Sequence, residues 1–235
     1  MTEALYHSDA YLKAFSATVV SEDGDGVVLD RTAFFPGGGG QPADLGTIWQ
    51  GGASFSVHGV RRGTSGPIHL IEGVRPRVGE AIEGEIEWPR RHALMRAHTA
   101  LHVLCGIIFR DYGASVTGAS MDVGSARMDF DLERLEADFV ARVQERMTEE
   151  IAAARPVQVR FLPRAEAFAI PDLIRTKVNL LPEGIETIRI VDIVGLDLQA
   201  DGGTHVANTA HVGHARIAGY ESKGRNNKRL RLTIE

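Results

Sequence analysis

Arg91-His92-Ala93-Leu94-Met95-Arg96-Ala97-His98-Thr99-Ala100-Leu101-His102-Val103-Leu104-Cys105-Gly106-Ile107-Ile108-Phe109-Arg110 is the stretch on which the reading of the fold turns. Leu94, Ala97, Leu101, Leu104, Cys105 and Ile108 recur every three or four positions, the spacing of a helix with one buried stripe. Gly113 is a suitable stop. His98 and His102 stand at i and i+4, so both project from one helix face about 5–6 Å apart and can reach a single metal ion. They lie at the edge of the apolar stripe, which suits a cleft beside the core. The alternative is a pair of helix histidines with no ligand role.

Upstream of Pro89 the pattern is different. Phe15 to Val20, Gly26 to Asp30, Thr47 to Trp49, Phe55 to Val60, Ile68 to Ile71 and Ala81 to Trp88 are short segments rich in β-formers, with glycine turns between them. Strands at this spacing predict a small β-barrel over residues 1–90. Downstream, Asp131 is a good N-cap for a second helix running to about Ala154, with the stripe Leu135, Phe139, Val143, Met147 and Ile151 and a stop at Pro156. Val157 to Leu162 and Ile185 to Val194 read as strands, with a short helix near Ala165 between them. The tail from His205 to Ile234 alternates like a strand and turns at Gly224-Arg225-Asn226-Asn227. The expectation is an α+β chain, with a β-barrel domain over 1–90 and an α+β domain with an antiparallel sheet and two main helices over 91–235.

The 235 residues are 43% hydrophobic and 24% charged, an ordinary globular composition. With one cysteine, Cys105, no internal disulfide forms, and a reduced, cytoplasmic setting is expected. The polar first ten residues argue against a signal peptide, and no stretch of sequence approaches the roughly 20 apolar residues of a membrane span. The net charge of -5 means that any nucleic-acid binding must come from a local basic patch. Basic residues gather at Arg61-Arg62, at Arg90, Arg91 and Arg96, and at Lys223, Arg225, Lys228, Arg229 and Arg231. The last group lies on the expected hairpin, where phosphate contacts are a candidate role and a solvated face is the alternative.

A second cluster, Asp201-Gly202-Gly203-Thr204-His205, offers a carboxylate and an imidazole around a tight turn. Two ligands from a helix and two from a distant loop are a common way to build a tetrahedral zinc site; a plain β-turn is the alternative. Peptidases with two helix histidines four apart need a glutamate directly after the first as general base. Thr99 stands there, and that class is set aside. Cys105 lies below the two histidines, as a buried core residue or a spare soft ligand.

His98–His102, read H-T-A-L-H, and Asp201–Val206, read D-G-G-T-H-V, resemble the two signature motifs of the alanyl-tRNA synthetase editing domain and of its free-standing relatives, the AlaX alanyl-tRNA editing proteins. Arg31 to Gly46, RTAFFPGGGGQPADLG, resembles the glycine-rich motif of the longer AlaX type. Arg127-Met128-Asp129-Phe130 is similar to the run between the two metal motifs, and Lys223 to Leu232 to the basic closing hairpin. The resemblance covers nearly the whole chain. It implies a translation-factor-like N-terminal barrel followed by an α+β editing domain, and trans-hydrolysis of mischarged alanine tRNA carrying serine or glycine. It also implies one Zn2+ ion on His98, His102, His205 and Asp201, the last standing where the family has cysteine. A zinc-containing tRNA-binding or regulatory module with little catalysis is the alternative. A metal-dependent esterase of small molecules is disfavoured, because a small ester needs neither the glycine-rich motif nor the basic hairpin. DNA and membranes are not expected partners.

Three candidate catalytic residues follow. Thr99 and Thr204 flank the ligands and could bond a substrate hydroxyl, which would separate serine from alanine, or simply hold nearby backbone. Gln199 could reach the metal site if Leu198 points inward. Gly38, Gly39, Gly40 and Gln41 form a loop whose free amides could contact the terminal nucleotide. With Arg127, Lys223, Arg225, Lys228 and Arg229 they make up the candidate tRNA contacts.

Overall fold

The computed structural model describes residues 2–134, 136–178, 181 and 184–235. Leu135, expected in the second helical stripe, lies outside them. The chain divides into two compact units, Met1–Ala93 and Leu94–Glu235.

The first unit holds β1 (Glu3–Ala4), α1 (Leu5–Ser8), β2 (Ala14–Asp23), β3 (Gly26–Leu29), β4 (Arg31–Thr32), β5 (Gly46–Gln50), β6 (Ala53–Val57), β7 (Gly59–Arg62), β8 (Pro67–Leu70) and β9 (Ala81–Ile86). Seven strands form one sheet in the order β6-β5-β9-β2-β3-β8-β7. The long β2 serves both halves: Ala14–Thr18 pairs with β9 and Val19–Asp23 with β3, with a bulge between Val19 and Ser21. A bulge bends a strand and increases its twist, so both halves cover one core of Phe15, Val19, Val27, Leu29, Phe34 and Ile48.

The expected closed barrel does not form. Among the described residues the sheet is open, with β6 and β7 each paired on one side only. Only His58 separates these two strands in sequence, so they follow one another along the chain. Barrel closure needs its last two strands side by side and staggered. The whole is a mixed α/β chain with several open antiparallel sheets and, among the described residues, four α-helices.

The glycine-rich segment is rigidly framed. Gly38 and Gln41 exchange both backbone hydrogen bonds at 3.0 Å, and Gly39 and Gly40 between them sit at φ 61° and 87°. Two positive φ values in a two-residue loop favour glycine at both positions. At the base, Asp44 accepts from Phe35 N at 2.6 Å and from Arg91 Nε at 3.0 Å; Arg91 also donates to Ala33 O at 2.6 Å. The Arg91–Asp44 pair is completely buried.

Helix α2 (Trp88–Tyr112) begins with Pro89 in its first turn, where a missing N–H costs nothing, and ends before Gly113. It is long and apolar enough by composition to cross a membrane, contrary to the sequence expectation. Yet Leu94, Met95, Leu101, Leu104, Ile107 and Ile108 are fully buried in the protein, as in a core helix. Around it stand β10 (Val116–Asp122), β11 (Ser125–Phe130), α3 (Ala137–Ala152), β12 (Val157–Pro163), α4 (Arg164–Phe168), β13 (Thr187–Ile193), β14 (Asp197–Ala200), a 3-10 turn at Thr209–Val212, β15 (Ala215–Gly224) and β16 (Asn227–Ile234). One sheet runs β10-β11-β16-β15, the other β12-β13-β14, both antiparallel.

Helix α3 buries Phe139, Val143, Met147 and Ile151 as its period requires. It starts six residues later than Asp131, because that residue is engaged elsewhere: its N–H bonds Ser115 O at 2.9 Å and its carboxylate takes Lys177 Nζ at 2.8 Å. In the second sheet Ile188 and Ile190 pack with Ala167 and Leu173 on one face, joined by Leu198. The opposite face of β14 meets α2 at Gly106. An added Cβ there would stand 3.0 Å from Asp197 Cβ and from Leu196 O, so the missing side chain permits this approach.

Candidate metal centre

Three imidazoles and one carboxylate converge between α2 and the loop after β14. Ring centroids of His98 and His205 are 4.2 Å apart, of His102 and His205 4.6 Å, and of His98 and His102 5.0 Å. One donor atom from each of His98, His102, Asp201 and His205 falls within 4.8 Å of the others. Asp201 Oδ2 lies 3.1 Å from His205 Nε2, and Oδ1 3.7 Å from His98 Nε2. The three histidines are buried and Asp201 is partly buried. The two sequence clusters thus meet in space.

The electrostatics suit a cation. Burial, reinforced by His205, pushes His98 well below its ordinary pKa, and burial pushes His205 down to about 4. Burial raises Asp201, but the charge that the surrounding imidazoles take up on protonation, with the hydrogen bond from His205, outweighs it and holds the carboxyl well below its ordinary range. At neutral pH His98 and His205 are therefore neutral bases beside an ionised carboxylate, the protonation state in which these groups ligate a metal. A partly buried carboxylate among imidazole lone pairs is a donor set that fits a small divalent ion.

Each ligand has its own support. His102 Nδ1 donates to Asp197 Oδ2 at 3.0 Å. Because a carboxylate only accepts, this bond puts the proton on Nδ1 and leaves Nε2 as the lone-pair donor in the neutral ring. Burial works against the charged ring of His102, but Asp197 outweighs it and raises the pKa above its ordinary value. Asp197 is itself held by Gln199 Nε2 at 2.6 Å and faces Arg175 Nε at 3.5 Å, with the Arg175 guanidinium stacked 3.6 Å over Phe109. Thr99 Oγ1 accepts from Val206 N at 3.2 Å and lies 3.2 Å from His205 Nδ1. Asp201 accepts from Gly203 N at 2.7 Å, and Arg189 donates to its carbonyl at 2.8 Å.

Of the candidate catalytic residues, Thr99 and Thr204 are fully buried beside the ligands. Gln199 lies behind His102 and donates to Cys105 Sγ at 3.3 Å, while Leu198 turns into the opposite core. Cys105 is outside the ligand cluster. Burial and Asp197 push its thiol well up, so it stays protonated.

Gly38, Gly39, Gly40 and Gln41 belong to the first unit. On the hairpin, Lys228 is buried and donates to Ser222 Oγ at 3.1 Å, Gly224 O at 2.7 Å and Arg225 O at 2.8 Å. Arg229 makes two 2.7 Å bonds to Asp129 and holds that carboxyl below its ordinary pKa. Arg127 reaches the same carboxylate at 3.3 Å, and Lys223 pairs with Glu221 at 3.5 Å. Arg225 is exposed at the hairpin tip. The other basic groups are similarly engaged. Arg61 pairs with Asp23, Arg62 donates to Gly37 O, and Arg96 to Val212 O.

Sequence reasoning missed Asp197, Arg175 and Arg189. For Asp197 a signal existed: counting back by two from Asp201 through Gln199 reaches it on the same strand face. Arg189 stands opposite Asp201 in the neighbouring strand, a pairing that only register reveals.

Comparison with known families matches residues 6–90 to tRNA synthetases class II (A), and residues 188–231 to the threonyl and alanyl tRNA synthetase second additional domain. Over 238 residues the chain is 39% identical to the alanyl-tRNA editing protein AlaX-M of Saccharolobus solfataricus, covering 100% of both chains. It is 37% identical over 241 residues to the AlaX-M protein of Methanosarcina barkeri, covering 100% of this chain and 99% of that one. Identity to the alanine–tRNA ligase of Pyrobaculum aerophilum is 39% over 224 residues, 92% of this chain but 25% of the ligase. With similarity running from end to end of both AlaX-M proteins, the chain belongs to the AlaX-M family of alanyl-tRNA editing proteins.

Proposed function

We propose that this protein edits alanine tRNA in trans, hydrolysing the ester that joins a wrong amino acid, serine or glycine, to the terminal ribose, with one zinc ion on His98, His102, Asp201 and His205. The carrying observation is the convergence of these four donors in a chain of this family. Zinc held there would supply a Lewis acid for the ester carbonyl or a water of lowered pKa. The protein's part is orientation. Asp197 fixes the ring of His102, Thr99 that of His205, and Gly203 N–H with Arg189 the position of Asp201. The acceptor end of the tRNA is the proposed partner and the cytoplasm the proposed setting.

For the polar tRNA contacts, the exposed Arg225 and the half-buried Arg127 are the favoured hairpin groups. Lys228 and Arg229 are engaged within the fold and favour a structural role. Gly38 to Gln41 are proposed to meet the substrate through a preformed turn.

Hydrolysis of seryl-, glycyl- and alanyl-tRNA of the alanine type by native protein and by His98→Ala tests the reading. Rapid loss of a wrong ester, abolished in the variant and sparing alanine, is expected. A zinc-loaded native protein that leaves all three esters intact would refute editing and leave a tRNA-binding module.

A further inference from the structure

The three-stranded sheet β12-β13-β14 extends the metal centre in a direction that the ligands do not use. In an antiparallel pair, residues directly opposite share a face. Phe161 pairs with Arg189, and Arg189 stands opposite Asp201, whose N–H bonds Arg189 O at 3.2 Å. Phe161, Arg189 and Asp201 therefore form one row across the sheet. The next row is Val159, Val191 and Gln199, and the one after it Val157, Ile193 and Asp197. At the spacing of neighbouring strands, Phe161 stands roughly 10 Å from Asp201 on the face that bears the metal cluster.

This face is covered in its middle and open at its rim. Val191 and Ile193 are completely buried, whereas Val159 is 38% and Phe161 47% exposed. Helix α4 does not explain the exposure, because Ala167 packs with Ile188 and Ile190 on the other face. Exposure alone marks no site, but these two side chains lie on the face of the metal cluster, and Phe161 stands in one row with the ligand Asp201, so their apolar surface is within one nucleoside's reach of the ligands. Arg189, the link between them, is buried and bound to Asp201, so the row ends in an apolar platform with no free charge of its own.

Resting on the editing reading above, we propose that Phe161, flanked by Val159, is a positioning platform on which the terminal base of the tRNA stacks, setting the ester on the same nucleoside over the metal centre. A base presents a broad π-face, and aromatic side chains bind single-stranded ends by stacking upon it. The span from Phe161 to the cluster is one that a single nucleoside with its ester can bridge. Phe161 touches only the base, so it acts on placement and not on the bond that breaks.

Steady-state hydrolysis of seryl-tRNA by Phe161→Ala, Phe161→Leu and Phe161→Trp, with zinc content measured in each, tests the proposal. Stacking is lost in the alanine variant, so kcat/KM should fall on the order of 5-fold to 150-fold. The loss should sit mainly in KM, with zinc content unchanged, partial loss for leucine and recovery for tryptophan. A second readout is independent of turnover. Fluorescence of Phe161→Trp, compared with native protein, should be quenched by alanine tRNA with its terminal adenosine but not by the same tRNA lacking it. Full activity in Phe161→Ala, or quenching that ignores the terminal adenosine, would overturn the platform. Absence of hydrolysis in native protein with adenosine-dependent quenching intact would instead refute editing and keep the base site.

Discussion

Replacing Asp197 by asparagine should weaken metal binding while leaving all four ligands in place. Oδ2 of Asp197 accepts from two donors, His102 Nδ1 at 3.0 Å and Gln199 Nε2 at 2.6 Å, and Oδ1 faces Arg175 at 3.5 Å. Asparagine has one acceptor oxygen and one donor amide. With the oxygen toward His102, the amide faces the Arg175 guanidinium, donor against cation. Reversed, the amide meets His102 and Gln199, donor against donor. Both orientations lose the charge that steadies the Nδ1 proton.

A hydrogen bond to a charged acceptor contributes about 1.5–3 kcal/mol and a neutral one about 0.5–1.5, so the difference between mid-ranges is about 1.25 kcal/mol, or roughly eightfold. Loss of comparable carboxylate supports behind metal-bound histidines weakens affinity by about 10–100-fold. Competition against a chelator of known zinc affinity reads this directly, with denaturant unfolding of the metal-free proteins as the control for folding. Asp197→Ala makes a poor test, because it strands Arg175 beside Phe109, and an uncompensated buried charge costs about 3–5 kcal/mol. A zinc dissociation constant for Asp197→Asn within twofold of native would refute the orienting role.

The hairpin and the first unit supply two more expectations. Lys228→Ala should lower stability by about 2 kcal/mol, because three bonds from a buried ammonium are lost while their acceptors, on exposed residues, regain water. It should leave the salt dependence of tRNA affinity unchanged, whereas Arg225→Ala should reduce the slope of log K against log salt by roughly 0.7–0.9; the opposite pattern would return Lys228 to the phosphate contacts. In the first unit, burial pushes His69 down to about 4, while its Nδ1–H donates to Val27 O and its Nε2 accepts from Thr32. The unfolded chain takes up this proton near pH 6.5, before the folded one does. The neutral ring's contribution is thus complete above that pH and lost as pH falls toward 4, at about 1.4 kcal/mol per unit of separation. Urea midpoints at pH 7.5 and 5.5 should differ less in His69→Gln than in native protein, and equal differences would count against it.

The parts of this molecule that follow from one chain's own periodicity are legible in its sequence. His98 and His102 share a face because the helix repeats every 3.6 residues, and Asp201 to His205 reads as a ligand loop from residue type and turn chemistry alone. What sequence could not show is what stands opposite a given face. The strands of the first unit are visible as segments, but that β6 and β7 follow one another instead of pairing depends on register. Asp131 has the residue type of a cap, but Lys177 claims its carboxylate from 46 positions away. The β10–β11 hairpin leaves no clear signal in the sequence because β10 keeps no regular alternation, with Gly118 and Ser120 among its residues.

Charge shows the same limit. Lys223 to Arg231 reads as a basic patch, yet Glu221, Asp129, the Ser222 hydroxyl and two carbonyl oxygens take up most of it. A count of cations overstates a binding surface wherever the fold supplies their partners. The reverse holds for Phe161, which looks like one more alternating strand residue. Only the register that sets it beside Arg189 and Asp201 turns an exposed ring into part of a site. Recognition of the tRNA end by this protein should therefore depend more on a few placed groups, one of them apolar, than on net positive charge. That is consistent with a chain whose overall charge is -5.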